Sequence, residues 1–131
     1  MFLDSSDPAN YARSIFDRPR DGFAPKSVLM TEGLMDRYAP PTSIEALASA
    51  MRSPQVRPVH AVIEGLSALG VADIAPPVSG NIAGGAATAG VLQFPDDGHF
   101  AVFENPTAAA QVFDFLGSLE SDGLPGTIPA P

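Results

Sequence analysis

Two ionisable side chains in this sequence each follow an apolar run of strand length. Asp36 lies five residues beyond the run that ends at Thr31, and His99 lies five residues beyond the run that ends at Phe94. A histidine held by a carboxylate can act as a general base, because the carboxylate fixes the imidazole tautomer and stabilises the imidazolium. If the two runs are neighbouring parallel strands, their C-terminal loops share one edge of the sheet, and the two side chains face each other there.

Each apolar run is followed by a loop and then by a helical pattern. This succession is the βα arrangement of a parallel α/β sheet. Residues 27–31 and 89–94 do not alternate between polar and apolar side chains, which is typical of strands covered on both faces. The sequence therefore predicts the α/β class, as a partial parallel sheet with flanking helices.

Residues 1–25 are predicted to form a helix and a linker. Asp7 and Pro8 have the residue types of an N-cap and a first helical position. Helical spacing through about Phe16 then places Tyr11 and Ile15 on one face. This segment is expected to dock on the rest of the chain.

Two further helices are expected after the two strands. Residues 42–45 form a capping box, and Asn105 with Pro106 repeats the N-cap and first-position proline. Between these helices we expect an insertion at about residues 55–88, with a short strand at 59–63. The side chains expected to face the core from the two helices are Ile44, Leu47, Ala48, Met51, Val112, Phe115, Leu116 and Leu119.

Composition excludes several classes of function. The formal net charge of −8 argues against nucleic acid and anionic membrane surfaces, because both need a basic patch. The absence of cysteine removes disulfides, thiol catalysis and thiolate metal sites. Two histidines and scattered acids show no metal-ligand spacing, and the glycine-rich residues 80–90 lack the lysine of a phosphate loop. We therefore expect no metal and no cofactor.

Other polar residues near the two runs have alternative interpretations. Glu32 could replace Asp36 as the acid that pairs with His99. Asp96 and Asp97 are more typical of turn residues, since Asp-Gly favours tight turns. His60 is expected to be structural.

The residues around the two ionisable groups resemble one known family. Residues 28–36 with Pro40 resemble the strand and loop that carry the acid of an α/β-hydrolase, the superfamily of lipases and esterases. Residues 97–100, followed by the helix that begins at Asn105, resemble its histidine loop. The resemblance covers roughly residues 26–119. It implies that Asp36 is the orienting acid and His99 the general base of a Ser-Asp-His triad.

The family's nucleophile motif, G-x-S-x-G, is missing from the sequence. The nearest imitation is at residues 65–70, where the final glycine is one position late, and its Ser67 falls between the acid and the histidine. The separation of 63 residues between Asp36 and His99 is also long for this family. The resemblance therefore implies a C-terminal half-domain at 26–123. The proline-rich residues 124–131 that follow it are expected to form an extended tail.

A half-domain of this kind is expected to be inactive alone, because removing the serine removes the acyl-enzyme route. Its substrate would be a small-molecule ester once an upstream half completes it. The alternative is a non-catalytic acidic interaction module, which dimerises or docks on a partner through an exposed sheet edge. We expect no membrane span and see no signal peptide at the N-terminus. The compartment stays open, since an export signal could precede Met1.

Overall fold

The computed structural model describes residues 7–121 and 123–130 of the chain. In chain order the helices and strands are a 3₁₀ helix Pro8–Ser14, β1 Val28–Gly33, α1 Pro41–Met51, α2 Glu64–Ala68, β2 Val78–Ser79, a 3₁₀ turn Ala83–Gly85, β3 Ala89–Phe94, α3 Ala101–Glu104, α4 Pro106–Ser121 and β4 Thr127–Ile128. Helices with a small sheet that contains a parallel pair confirm the α/β class.

The two apolar runs are neighbouring parallel strands. β1 and β3 pair in register from Val28 opposite Ala89 to Gly33 opposite Phe94. Every residue of β3 is buried, which explains why its sequence is a continuous apolar run rather than an alternating one. The prediction that β1 and β3 are parallel neighbours is confirmed.

The segment at 54–56 continues the sheet beyond β3. The Val56 N–H donates to the Val91 carbonyl, and the Val91 N–H donates to the Pro54 carbonyl, each at 2.9 Å. Gln55 is bridged to Val91 in the parallel sense. The order across the sheet is therefore β1, β3 and then 54–56, so β1 lies at one edge.

Helices cover both faces of the strand pair. On one face, Met30 and Val91 pack against α1 and α2 through Ala48, Ile63 and Leu66. On the other face, the side chains of β1 and β3 pack against α4. Three-layer packing of this kind buries both sides of the parallel pair.

The N-terminal helix differs from its prediction in type and in its buried face. Asp7 caps it as predicted, since its carboxylate accepts from the Ala9 N–H at 2.9 Å, but the turns are 3₁₀. Tyr11 is exposed, while Ile15 is half-buried and packs against the core. Ala12 and Phe16 are the buried residues, because 3₁₀ geometry and the bend after it turn a different face towards α1.

The two longer helices confirm most of their predicted faces. In α1, Ala48 and Met51 are buried, but Pro40 is the N-cap and no side-chain capping bond forms, so the capping box at 42–45 is wrong. In α4, the Asn105 side chain accepts from the N–H groups of Thr107 and Ala108, which confirms the predicted N-cap.

The inward stripe predicted for α4 is correct except at one position. Phe115 is buried, while Val112 and Leu119 are partly buried. Leu116 is exposed, so its predicted core position is wrong. Only a narrow strip of α4 meets the small sheet, and Leu116 lies outside that strip.

The middle of the chain does not form the short strand expected at 59–63. These residues form a loop that leads into α2. Two buried glutamine side chains satisfy the backbone of this loop: Gln55 binds Ala61 and Ile63, and Gln93 binds His60 and Ala61. With its backbone groups paired in this way, the loop needs no neighbouring strand.

The proline-rich C-terminal segment contributes to the core. β4 pairs with β2 in the antiparallel sense, and Ile128 is completely buried beneath α4. The Thr127 N–H also donates to the Ser118 hydroxyl on α4 at 2.8 Å. This segment therefore closes one side of the fold.

Candidate functional site

The loops that follow β1 and β3 are joined by backbone hydrogen bonds. The Leu34 N–H donates to the Phe94 carbonyl at 3.0 Å, and the Met35 N–H donates to the Asp97 carbonyl at 2.9 Å. Gly33 permits this close approach, since a Cβ there would lie 2.7 Å from the Asp97 carbonyl oxygen. The fold thus holds the Asp36 loop and the His99 loop at a fixed separation.

Asp36 is positioned by its own loop. Its Oδ1 atom accepts hydrogen bonds from the N–H groups of Tyr38 at 2.8 Å and Ala39 at 2.9 Å. This is an Asx-type turn, which forms because a short carboxylate side chain reaches the amides two and three residues on. The turn leaves Oδ2 free to bind His99.

The structure places Asp36 and His99 in direct contact. The distance from His99 Nδ1 to Asp36 Oδ2 is 2.9 Å, and 6% of the Asp36 side chain is exposed against 42% of His99. Because an ionised carboxylate only accepts hydrogen bonds, Nδ1 carries the proton in this pair. In the neutral imidazole the lone pair is then on Nε2.

Opposing effects act on the Asp36 carboxyl. Burial by itself would raise the pKa of Asp36, since it disfavours the charged form. Hydrogen bonds from the Ala39 amide, His99 and the Tyr38 amide outweigh burial and hold the pKa of Asp36 below its usual value. The carboxylate is therefore ionised at neutral pH and can orient the imidazole.

Aromatic rings surround the imidazole. The centroid of the His99 ring lies 5.6 Å from that of Tyr38 and 5.1 Å from that of Phe100, the second pair being edge-to-face. These contacts restrict rotation of the His99 side chain without occupying Nδ1. Ring packing and the carboxylate bond together preorganise the histidine.

The turn before His99 is fixed by Asp97. Its Oδ2 atom accepts from the Asn105 side-chain amide at 2.6 Å, and Asn105 in turn caps α4. The Asp97 N–H donates to the Phe94 carbonyl across the turn. The interpretation of Asp97 as a turn residue is confirmed.

Glu32 is not the acid that binds His99. It is fully buried, and its Oε2 atom accepts from the Gln93 side-chain amide at 2.8 Å. Its other oxygen, Oε1, has no hydrogen-bond partner among the described residues. Burial raises the pKa of Glu32, and this outweighs the hydrogen bond from Gln93, which lowers it. Two features of the sequence could have indicated this buried pair. Glu32 is an acid within an apolar strand, and Gln93, which lies opposite it on β3, is also polar.

A small hollow adjoins the acid–histidine pair. Its volume is about 200 Å³, and Thr31, Ile44 and Val102 line it together with Asp36 and His99. This is smaller than the cavities of roughly 300–1,000 Å³ that hold drug-sized ligands. Within residues 7–121 and 123–130, Asp36 is the only hydrogen-bond partner of the His99 side chain. The hollow thus supplies an orienting acid and a base.

Ser67 and His60 lie outside the Asp36–His99 site. Ser67 is exposed on α2 and lines a separate cleft of about 930 Å³, whose wall contains neither Asp36 nor His99. His60 is exposed, and its backbone N–H is held by Gln93. The structure therefore does not bring either residue to the acid–histidine pair.

The described part of the chain contains no group of three or more His, Cys, Asp or Glu side chains that could hold a metal ion. None of the helices described is both long and apolar enough to cross a membrane. Comparison with protein-family models, with curated proteins and with solved structures found no match. The fold and the site together define a mixed α/β protein with a preorganised acid–histidine pair.

Proposed function

We propose that this chain carries the acid and base of a Ser-Asp-His hydrolytic site of the α/β-hydrolase type. In this proposal Asp36 orients, His99 is the general base, and a carboxylic ester is the substrate. The observation that supports it most strongly is the 2.9 Å bond between His99 Nδ1 and Asp36 Oδ2, at the C-terminal edge of two parallel strands. The serine hydroxyl comes from a polypeptide segment outside this sequence.

The proposed reaction uses His99 twice. Nε2 takes the proton from the serine hydroxyl while the serine oxygen bonds to the carbonyl carbon of the ester. The π electron pair of the carbonyl group moves onto the carbonyl oxygen. Collapse of this intermediate expels the alcohol, which receives the proton back from Nε2. Water then repeats the sequence on the acyl-serine and releases the acid. Throughout, Asp36 stabilises the imidazolium and remains ionised, as its lowered pKa favours.

The chain alone should therefore not turn over an alkyl ester through His99. We would compare hydrolysis of ethyl butyrate, whose alkoxide an imidazole does not readily displace, by the purified chain and by the variants His99→Ala and His60→Ala. We expect equal background rates, because no nucleophile is positioned at Nε2. A burst or turnover that His99→Ala removes and His60→Ala keeps would show that the chain contains its own nucleophile.

The genomic sequence upstream of the Met1 codon tests the origin of the serine. An open frame that contains G-x-S-x-G between a strand and a helix is the expected result. The longer protein should then hydrolyse the ester and lose that activity with His99→Ala. A stop codon or unrelated sequence there would overturn the proposal that the serine lies in the same polypeptide.

A further inference from the structure

β1 has one paired edge and one open edge. The Val28 N–H donates to the Thr88 carbonyl at 2.8 Å and the Leu34 N–H to the Phe94 carbonyl at 3.0 Å, so the even-numbered residues of β1 face β3. The N–H and C=O groups of Leu29 and Thr31 therefore point to the opposite edge. The described part of the chain supplies no backbone partner for them there.

α4 presents an apolar flank on the same side as this open edge. Successive helical residues are turned by about 100°, so Phe113 and Leu116 lie on one flank of α4 and Gln111 on the other. Gln111 lines a hollow with Val56, on the 54–56 side of the sheet. The opposite flank thus faces the β1 side, and there Phe113 is 70% and Leu116 53% exposed.

We propose that the open edge of β1 and this flank of α4 form an interface between two copies of the chain, related by a two-fold axis. With Met30 opposite Met30 of the second copy, Leu29 of each copy faces Thr31 of the other. All four N–H groups and all four C=O groups are then paired in an antiparallel ladder. This interface does not depend on the proposed hydrolytic function.

The helices fit the same arrangement. α4 packs over Leu29 of β1 and Leu92 of β3, so it lies above that strand pair. Two such pairs joined at β1 have centres about two strand spacings, roughly 10 Å, apart. Packed helices have axes roughly 8–10 Å apart. The two α4 flanks would therefore meet, and Phe113 and Leu116 would be buried.

Edge chemistry favours a second copy as the partner, in spite of the like charge of the two copies. The chain has a net charge of −8, yet the one acid of β1, Glu32, is buried on the α1 side and absent from the edge. Glu120, one turn beyond Leu116, lies at the rim of the flank. Edge strands are commonly protected from pairing by lysine, proline or a bulge, and β1 has none of these. The face is apolar and complementary to itself, as a two-fold interface requires.

The oligomeric state of the purified chain tests this interface. Light scattering over a range of concentrations should give a dimer, and Phe113→Glu with Leu116→Glu should weaken its association by at least about tenfold. Both side chains are exposed in the single copy, so the variant should keep its circular dichroism spectrum. Thr107→Glu, at an exposed position on the Gln111 side of the same helix, should leave the dimer intact. A wild-type monomer at all concentrations, or a dimer unaffected by the double substitution, would overturn the proposal.

Hydrogen exchange tests the strand pairing itself. The amides of Leu29 and Thr31 should become protected as concentration rises, while those of Met30 and Glu32, which face β3, should be protected at every concentration. Concentration-independent, rapid exchange at Leu29 and Thr31 would show that β1 is not the contact. That result would leave the edge open to a strand from another polypeptide.

Discussion

The end of β1 carries two carboxylates, four residues apart, in contrasting surroundings. Glu32 is on the covered face of the strand, with one oxygen bound by Gln93 and the other without a partner in the described structure. Asp36 is in the loop beyond, also largely buried, with two backbone N–H groups and His99 around it. The pKa of Glu32 is raised by burial, whereas hydrogen bonds lower that of Asp36.

The contrast shows that burial alone does not decide the charge of a carboxyl group. Both groups lose contact with water, but only Asp36 gains enough donors to replace the lost hydration. An ionised Asp36 can orient a histidine. Glu32, whose pKa burial raises, instead belongs to a buried network that holds the 59–63 loop in place.

Replacing Gln93 should have the largest effect, because its side chain joins Glu32 to the 59–63 loop. Gln93→Ala leaves Glu32 Oε2 and the N–H groups of His60 and Ala61 without partners, while Gln55 still binds the Ala61 carbonyl. The loss should be about 4 kcal/mol of unfolding free energy. Gln55→Ala, the matched control, removes two bonds rather than four and should cost about 2 kcal/mol. Urea unfolding at neutral pH measures both. Equal losses would contradict the larger contribution assigned to Gln93.

Gly33→Ala should disturb the contact between the Asp36 loop and the His99 loop. The added methyl group would meet the carbonyl oxygens of Asp97 and Gly98, which are backbone atoms and cannot turn aside. We expect a loss of about 3 kcal/mol and a broken contact between Asp36 and His99. Gly117→Ala on α4 has open space around it and should be neutral or stabilising. A Gly33→Ala variant with unchanged stability would contradict the close approach of the two loops.

Glu32→Gln should change the pH dependence of stability. Because the folded-state pKa of Glu32 is raised, its contribution is fully present below the ordinary value of 4.5 and is lost as the pH rises through the raised pKa. The variant should remove this decline and be more stable than the wild type at neutral pH. Glu64→Gln, at an exposed site on α2, should keep the decline in stability with rising pH. Urea unfolding across the acidic and neutral range measures the difference, and identical curves for Glu32→Gln and wild type would contradict it.

The strand pair and the acid–histidine contact could be predicted from the sequence. Continuous apolar runs identified β1 and β3, and the C-terminal edge of parallel strands placed Asp36 beside His99. Asn105 was recognised as an N-cap because that signal is local. These features depend on residue type and short spacing, so they can be predicted without knowledge of the tertiary fold.

Features set by distant contacts could not be predicted. The 59–63 loop contains Val and Ile and looks like a strand, but side chains of Gln55 and Gln93 satisfy its backbone. Leu116 fits the apolar stripe of α4, yet the sheet beneath is too narrow to cover it. The buried role of Glu32 depends on its register opposite Gln93, which becomes known only when β1 and β3 are paired.

The tautomer of His99 tests the central claim most directly. In the neutral form of the imidazole, long-range ¹H–¹⁵N NMR should show the proton of His99 on Nδ1 and a bare Nε2, because Asp36 accepts the Nδ1–H bond. Asp36→Asn should abolish that preference, since an amide no longer provides a charged acceptor, while His60 should be unchanged. A wild-type His99 with its proton on Nε2, or one insensitive to Asp36→Asn, would contradict a preorganised acid–histidine pair.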